Sequence, residues 1–387
     1  MKILCLALAM LLLTGCAAPR TAPTPEESPR SSEITTQPPV TEPPTTEPPA
    51  TEPPDPVKEL LETMSSEEKI GQLFLARHCG ETAAADLANY HLGGFILFAE
   101  DFAAETPESI TETIKNYQTA ASIPLLIAVD EEGGTVCRVS CFPAFRSAPF
   151  PSPRSLFDLG GMDHVLGVEA EKAHLLSSLG INVNMAPVCD IATQQNSFLY
   201  RRSLGQSPQI TGEFAAGAVE LMHAFQVGAV AKHFPGYGNN ADTHTGSAVD
   251  SRSLAQFELE DLIPFSMAID AGCDAILVSH TVVNAMDPEF PASLSSAVHS
   301  YLRSILGFKG AIVTDDLVMG AISEKYGAGE AAVLAVLAGN DLLCSSEYGV
   351  QFQAVLEAVQ SGRISESQLN TAAERVLRWK QTLGLIE

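Results

Sequence analysis

Lys232-His-Phe-Pro-Gly-Tyr-Gly-Asn-Asn-Ala-Asp-Thr-His244 follows directly on the apolar run Val227-Gly-Ala-Val-Ala231. That run reads as a buried strand. Pro235, Gly236 and Gly238 then stop it, because a continuing strand has no place for them. The polar residues therefore stand where a strand becomes a loop. Lys232 and His233 close the strand, and Asp242 and His244 lie two residues apart on the loop. A carboxylate beside an imidazole orients the ring and stabilises its charged form. One His on a loop is usually incidental. A Lys, two His, an Asp and three backbone breakers after one strand point to a site.

The same grammar repeats on both sides of this stretch. Short apolar runs occur at Gln72–Arg77, Gly94–Phe98, Pro124–Asp130, Asn182–Pro187, Val227–His233, Ala275–His280, Ala311–Asp315 and Asp341–Cys344. Longer amphipathic stretches lie between them, such as Glu108–Ala121, Val165–Leu179, Thr211–Phe225, Leu254–Ala271, Leu294–Leu306 and Glu330–Ala338. Strands alternating with helices build a parallel sheet. Eight such units predict a (β/α)8 TIM-type barrel. An open doubly wound sheet in two lobes is the rival. Polar residues end many of the runs: Asp130, Asp190, Lys232, His233, His280, and the pair Asp315 and Asp316. A barrel brings all eight ends to one mouth, whereas an open sheet scatters them away from its switch point. The barrel is the better reading.

Three further segments carry chemistry. In Asp130-Glu-Glu-Gly-Gly-Thr-Val-Cys-Arg138 the Gly pair permits a tight turn. Asp130 and Arg138 then form a polar pair for a ligand, or a plain ion pair. Tyr200-Arg-Arg-Ser-Leu-Gly205 adds two guanidiniums, one of which is expected to be a surface charge. Adjacent Asp315 and Asp316 after a strand cannot point the same way. One should face the mouth while the other caps or pairs. No Walker-type loop, Gly-x-Ser-x-Gly or His-Glu-x-x-His occurs, so those chemistries have no motif here.

The 387 residues carry a formal charge of −25, which argues against a nucleic-acid partner. Met1-Lys2, an apolar run to Leu13 and a small-residue site read as a signal peptide over residues 1–15. Leu13-Thr-Gly-Cys16 resembles a bacterial lipobox, with lipid attached at Cys16. Residues 16–56 are rich in Pro, Thr, Ser and Glu and cannot bury a core. Fully extended, such a linker reaches on the order of 100 Å. The folded domain is expected over 57–387, held outside the cytoplasm at a membrane. Cys137 and Cys141 are close enough in sequence to be bridged in an oxidising compartment.

Lys232-His-Phe-Pro-Gly-x-Gly followed by Asp242-x-His244 resembles the signature of glycoside hydrolase family 3, in its β-N-acetylhexosaminidase branch. Asp130-x-Glu-Gly-Gly, Asn182-x-Asn-Met-Ala-Pro-Val-x-Asp190, Arg202-Ser and Thr314-Asp-Asp-Leu-x-Met319 match it in the same order. The resemblance implies a barrel and a retaining mechanism through a covalent glycosyl-enzyme. It assigns the nucleophile to Asp315 and the acid/base to His244, paired with Asp242. It places substrate at Asp130, Arg138, Arg202, Lys232 and His233. It implies no cofactor and no metal. Departures occur at Tyr237, where His is usual, and at Thr135, Thr243, Ala248 and Val318. The substrate implied is terminal β-linked N-acetylglucosamine, and the location adds peptidoglycan fragments. A β-glucosidase of the same family and a non-catalytic sugar-binding lipoprotein are the alternatives. The Asp-x-His loop argues against the first. The second would need two hinged lobes and has no use for a nucleophile.

Overall fold

The computed structural model describes residues 55–77, 80–240 and 248–387. Eight parallel strands form one sheet: β1 Phe74–Arg77, β2 Gly94–Leu97, β3 Leu126–Val129, β4 Val183–Asn184, β5 Gly228–Phe234, β6 Ala275–Val278, β7 Ala311–Thr314 and β8 Leu343–Ser345. Their spatial order is β8-β1-β2-β3-β4-β5-β6-β7. A parallel bridge between Val313 and Leu342 joins the two ends. The Thr314 amide donates to the Leu342 carbonyl at 3.1 Å and the Leu342 amide to the Ile312 carbonyl at 3.0 Å. The sheet is thus closed, and the (β/α)8 expectation holds. A hinged two-lobed binding protein is excluded.

Closure sorts the side chains with period two, since successive residues of a strand face opposite sides. Leu75, Ile96, Leu126, Ala128, Val183, Val230, Ala275, Ala311 and Val313 pack together inside the barrel. Their neighbours Phe74, Phe95, Ile127, Ala229, Ile276 and Ile312 pack outside, under the helices. Both faces are apolar, which is why the runs read as continuous rather than alternating. Val376 and Trp379 of the last helix, Glu366–Thr382, and Leu383 just after it join the inner cluster and stop its base.

The helices differ from expectation in two places. Pro153–Ser178 starts earlier than the expected Val165, because it is two helices broken at Gly160 and Gly161. The expected Leu254–Ala271 splits into Leu254–Leu259 and Leu262–Asp270, with Glu260 outside helical dihedrals. A second, two-stranded parallel pair joins Val249–Asp250 to Val282–Val283. Cys137 and Cys141 are both free thiols, the first buried and the second exposed. Each thiol points at a backbone carbonyl, so the bridge allowed by their spacing is not formed.

One core contact makes a pH prediction. Lys380 is fully buried in the last helix, and its Nζ donates to Gln72 Oε1 at 2.6 Å. Burial pushes this ammonium down to about 7. Between that value and the unfolded value of about 10.4, the unfolded chain binds more protons, so stability rises with pH. Below about 7 the full cost of the buried charge is carried. Lys380→Met should therefore stabilise the protein near pH 6, by an amount that shrinks on the order of a few kcal/mol by pH 9. Urea melts at both values check this; a difference independent of pH would refute it.

Candidate active site

The strand periodicity that builds the inner core also builds the site. Arg77, Phe98, Asp130, Met185, Lys232, Leu277, Asp315 and Ser346 each stand two residues beyond an inward core residue of β1 to β8 in turn. All eight line one cavity of about 550 Å³ at the C-terminal end of the barrel. The expected site residues Asp130, Arg138, Arg202, Lys232, His233 and Asp315 all line it. Asp242, His244 and Cys16 lie outside the described residues. Arg201 is exposed while Arg202 is buried, which answers which of that pair belongs to the site.

Lys232 and His233 are consecutive, yet both reach the cavity. The pairing of β5 with β6 shifts register between Ala231 and Phe234, which breaks the alternation there. Lys232 Nζ donates to Asp130 Oδ1 at 2.6 Å and lies 2.6 Å from Glu132 Oε1. Arg202 forks onto Glu132, with Nε to Oε2 at 2.9 Å and Nη2 to Oε1 at 2.7 Å. Arg138 lies 3.6 Å from Asp130 Oδ2, so Asp130 is shared between two cations. Burial works against the charge on Glu132, yet Arg202 and Lys232 hold it well below the usual carboxylate range. Burial likewise works against Lys232, and Asp130 with Glu132 raises it above the ordinary lysine value. Glu132 and Lys232 therefore stand as a fixed pair of opposite charges.

His233 is held from behind. Asp190 Oδ2 accepts from the His233 backbone N–H at 3.0 Å and stands 2.7 Å from Nδ1. Asp190 Oδ1 accepts from the Tyr237 N–H at 2.8 Å. With Nδ1–H given to Asp190, Nε2 is left to accept from Arg202 Nη2 at 3.1 Å. Tyr237, where His was usual, is buried and packs edge-on against the His233 ring.

The paired acids divide as the strand alternation requires. Asp316 turns back to accept from Ser346 Oγ at 2.5 Å and from the Val318 N–H at 3.1 Å. Burial raises its pKa despite those bonds. Asp315 continues the inward series Ala311, Val313 and faces the cavity. His280 stands two residues past β6 and bonds Ser293 at 2.7 Å and the Asp316 carbonyl at 3.0 Å.

Glu132 and the pair Glu169 and Lys172 have no role in the sequence reading, and Asp190 has only its place at a strand end. Glu132 and Asp190 lay inside quoted motifs, and an acid beside a Gly pair next to Asp130 was a usable signal. Lys172 was not findable: it comes from the helix after β3 and donates to the Glu132 carbonyl at 2.8 Å and to Glu169 at 2.6 Å. The asparagines of Asn182-x-Asn184 are clamps. Asn182 bonds the Ile127 N–H and the Leu125 carbonyl. Asn184 Oδ1 accepts from the Glu131 N–H at 3.0 Å. Glu131 in turn accepts from the N–H groups of Arg138 and Val139, each at 2.8 Å, which folds the loop that presents Arg138.

Comparison with known proteins agrees with this geometry. The model of the glycosyl hydrolase family 3 N-terminal domain matches residues 65–379. A beta-hexosaminidase of Nitrosomonas eutropha is 34% identical over 302 residues, 73% of this chain and 84% of its own. One of Stenotrophomonas maltophilia is 36% identical over 307 residues, 76% and 86% of the two chains. Among solved structures, a glycoside hydrolase family 3 beta-N-acetylglucosaminidase from Paenibacillus superposes with a TM-score of 0.79 at 33% identity. It covers 83% of this chain, which spans only 63% of that one. LpqI of M. tuberculosis superposes at 0.76 with 26% identity, covering 84% and 96%. An eight-stranded barrel with its charged residues gathered at one mouth, matched over most of its length, makes this chain a member of glycoside hydrolase family 3.

Proposed function

We propose that this glycoside hydrolase is a retaining, exo-acting β-N-acetylhexosaminidase that removes terminal β-linked N-acetylglucosamine. The observation that carries the reading is Asp315, the acid that directly follows β7 in its inward phase, facing the same cavity as Asp130, Arg138, Arg202, Lys232 and His233. The names of its relatives support the N-acetyl sugar. The packed barrel core forms the floor of the cavity. Action on the terminal sugar is part of the proposal.

In this mechanism the fixed cations and Asp130 hold the hydroxyls of one terminal sugar. Asp315 attacks the anomeric carbon while His244 gives a proton to the leaving oxygen. The glycosidic bond breaks and a glycosyl ester on Asp315 forms. His244 then takes a proton from water, which attacks the same carbon, and Asp315 leaves. Each step inverts the carbon, so the two together retain its configuration. Asp242 orients the His244 ring. His titrates near neutrality and so serves both steps. The proposal includes a glycan or muropeptide from peptidoglycan as substrate. It also includes anchoring outside the cytoplasm through a lipid on Cys16. The lipobox-like Leu13-Thr-Gly-Cys16 and the linker behind it support that location.

Three measurements test this. First, aryl β-N-acetylglucosaminides should be cleaved faster than the matching aryl β-glucosides; the reverse order would make the enzyme a β-glucosidase. In the same series, His244→Ala should lose about 10² to 10⁴-fold on poor leaving groups and far less on activated ones. Second, a mechanism-based fluorosugar should label Asp315, and mass spectrometry finding the adduct on Asp316 would overturn the assignment. Third, Cys16→Ala should abolish incorporation of labelled fatty acid, and unchanged labelling would remove the anchor.

A further inference from the structure

The pair Asp315-Asp316 is gripped from both neighbouring strands. On the β8 side, Asp316 Oδ2 accepts from Ser346 Oγ at 2.5 Å, and Thr314 Oγ1 accepts from the Cys344 N–H at 3.1 Å. The Leu317 N–H donates to the Cys344 carbonyl at 3.2 Å. On the β6 side, the Asp315 N–H donates to the Val278 carbonyl at 3.3 Å. His280 Nε2 stands 3.0 Å from the Asp316 carbonyl oxygen. A carbonyl only accepts, so Nε2 carries a proton. Nδ1 stands 2.7 Å from Ser293 Oγ, and in the neutral ring it accepts from that hydroxyl. Ser293 is itself fixed: its N–H donates to the Ser279 carbonyl at 3.0 Å, and its carbonyl accepts from Asn340 Nδ2 at 2.7 Å.

The Asp316 carbonyl also accepts from the Met319 N–H at 3.1 Å. Met319 belongs to the same turn, so its bond shapes the turn without locating it. His280 comes from the end of β6 and locates that turn against the barrel. With its carbonyl and its carboxylate both held, Asp316 directs its N–H at Asp315 Oδ1, 2.9 Å away. That bond sets the plane of the Asp315 carboxylate. His280 is 1% exposed and is not among the residues that line the cavity, whereas Asp315 lines it. It is a buried imidazole with no part in the reaction steps proposed above.

We propose that His280 is a positioning residue for the nucleophile: by fixing the Asp316 carbonyl it fixes the amide that orients the Asp315 carboxylate. The role rests on the reading of Asp315 as nucleophile. A carboxylate that attacks carbon must present one oxygen in line with the breaking bond, and rotation of the carboxylate loses that alignment. The Asp316 N–H opposes the rotation only while its own backbone is held. Arg202 and Lys232 are anchored separately, by Glu132. Binding of the sugar and alignment of the nucleophile can therefore be changed one without the other.

The test uses His280→Leu, which removes the donor at similar volume, His280→Gln, which keeps an N–H donor, and Ser293→Ala, which removes the hydroxyl at Nδ1. Two constants are measured for each beside the wild type. One is the rate of labelling by the mechanism-based fluorosugar, with the labelled residue read by mass spectrometry. The other is the inhibition constant of N-acetylglucosamine, and circular dichroism checks folding. Misplacing a catalytic group by about 1 Å costs on the order of 10²-fold. His280→Leu should slow labelling by that much and leave the inhibition constant unchanged. His280→Gln should recover most of the rate, and Ser293→Ala should lose less than His280→Leu. An inhibition constant that rises in step with the lost rate, or a Gln variant as slow as the Leu variant, would make His280 merely structural and overturn the inference. If His280→Leu does not fold, the other two decide: Ser293→Ala slowed at an unchanged inhibition constant, with His280→Gln near wild type, supports the role, and any other pattern overturns it. Label on a residue other than Asp315 in the wild type would instead overturn the nucleophile reading, and this role with it. Label on Asp315 at equal rates in wild type and His280→Leu would overturn only the role of His280.

Discussion

Glu132 is a carboxylate with almost no access to water, and the site depends on how its charge is met. Arg202 meets it as a fork and Lys232 as a point charge. Removing one partner from a buried pair of this kind costs about 3 to 5 kcal/mol, because a charge is left uncompensated. Neither cation can therefore drift or titrate near neutrality. Lys232 being fixed, Asp130 is fixed by it; Arg202 being fixed, the His233 ring has its neighbour. Lys172 pins the Glu132 backbone from the opposite side, so the hub is held at both side chain and carbonyl. A sugar entering this cavity meets groups already in place, and little reorganisation is left for the reaction itself.

The second constraint is geometric. In a closed parallel barrel every strand delivers alternate residues to the interior, and the last of these on each strand lies at the mouth. Polar residues are tolerated only at that last inward position, since the positions beneath it are sealed in apolar core. This is why Asp315 continues the inward series of its strand, while Asp316, which also borders the cavity, is engaged by Ser346 and the turn. The same phase rule gives Asp130 and Lys232 their places. His233 breaks the rule, and it needs both a register shift and the Asp190 clamp to be held there.

The loop after β5 shows how a motif can encode packing and chemistry together. Its glycines read at first as signs that a strand has ended. The structure shows that they also leave room for Arg252 and Asp261, whose bonds gather the loop ends. In the sequence, Lys232 and His233 precede these glycines, and Asp242 and His244 follow them.

The sequence by itself determined the barrel, the eight strands and the mouth, because burial on both faces of a parallel strand writes a continuous apolar run that ends where water begins. It also determined that one of two adjacent acids must face inward, since alternation along a strand is a local property. It named Asp130, Arg138, Arg202, Lys232, His233 and Asp315 as neighbours, and they line one cavity. What only the tertiary structure decided is how those charges are compensated. Lys172 is 40 residues from Glu132, Arg202 is 70 away, and Lys232 is 102 from its partner Asp130. No local pattern records which distant cation neutralises which acid. That pairing is settled by where closure of the sheet brings the strand ends together, and by the cost of leaving any one of those charges buried alone.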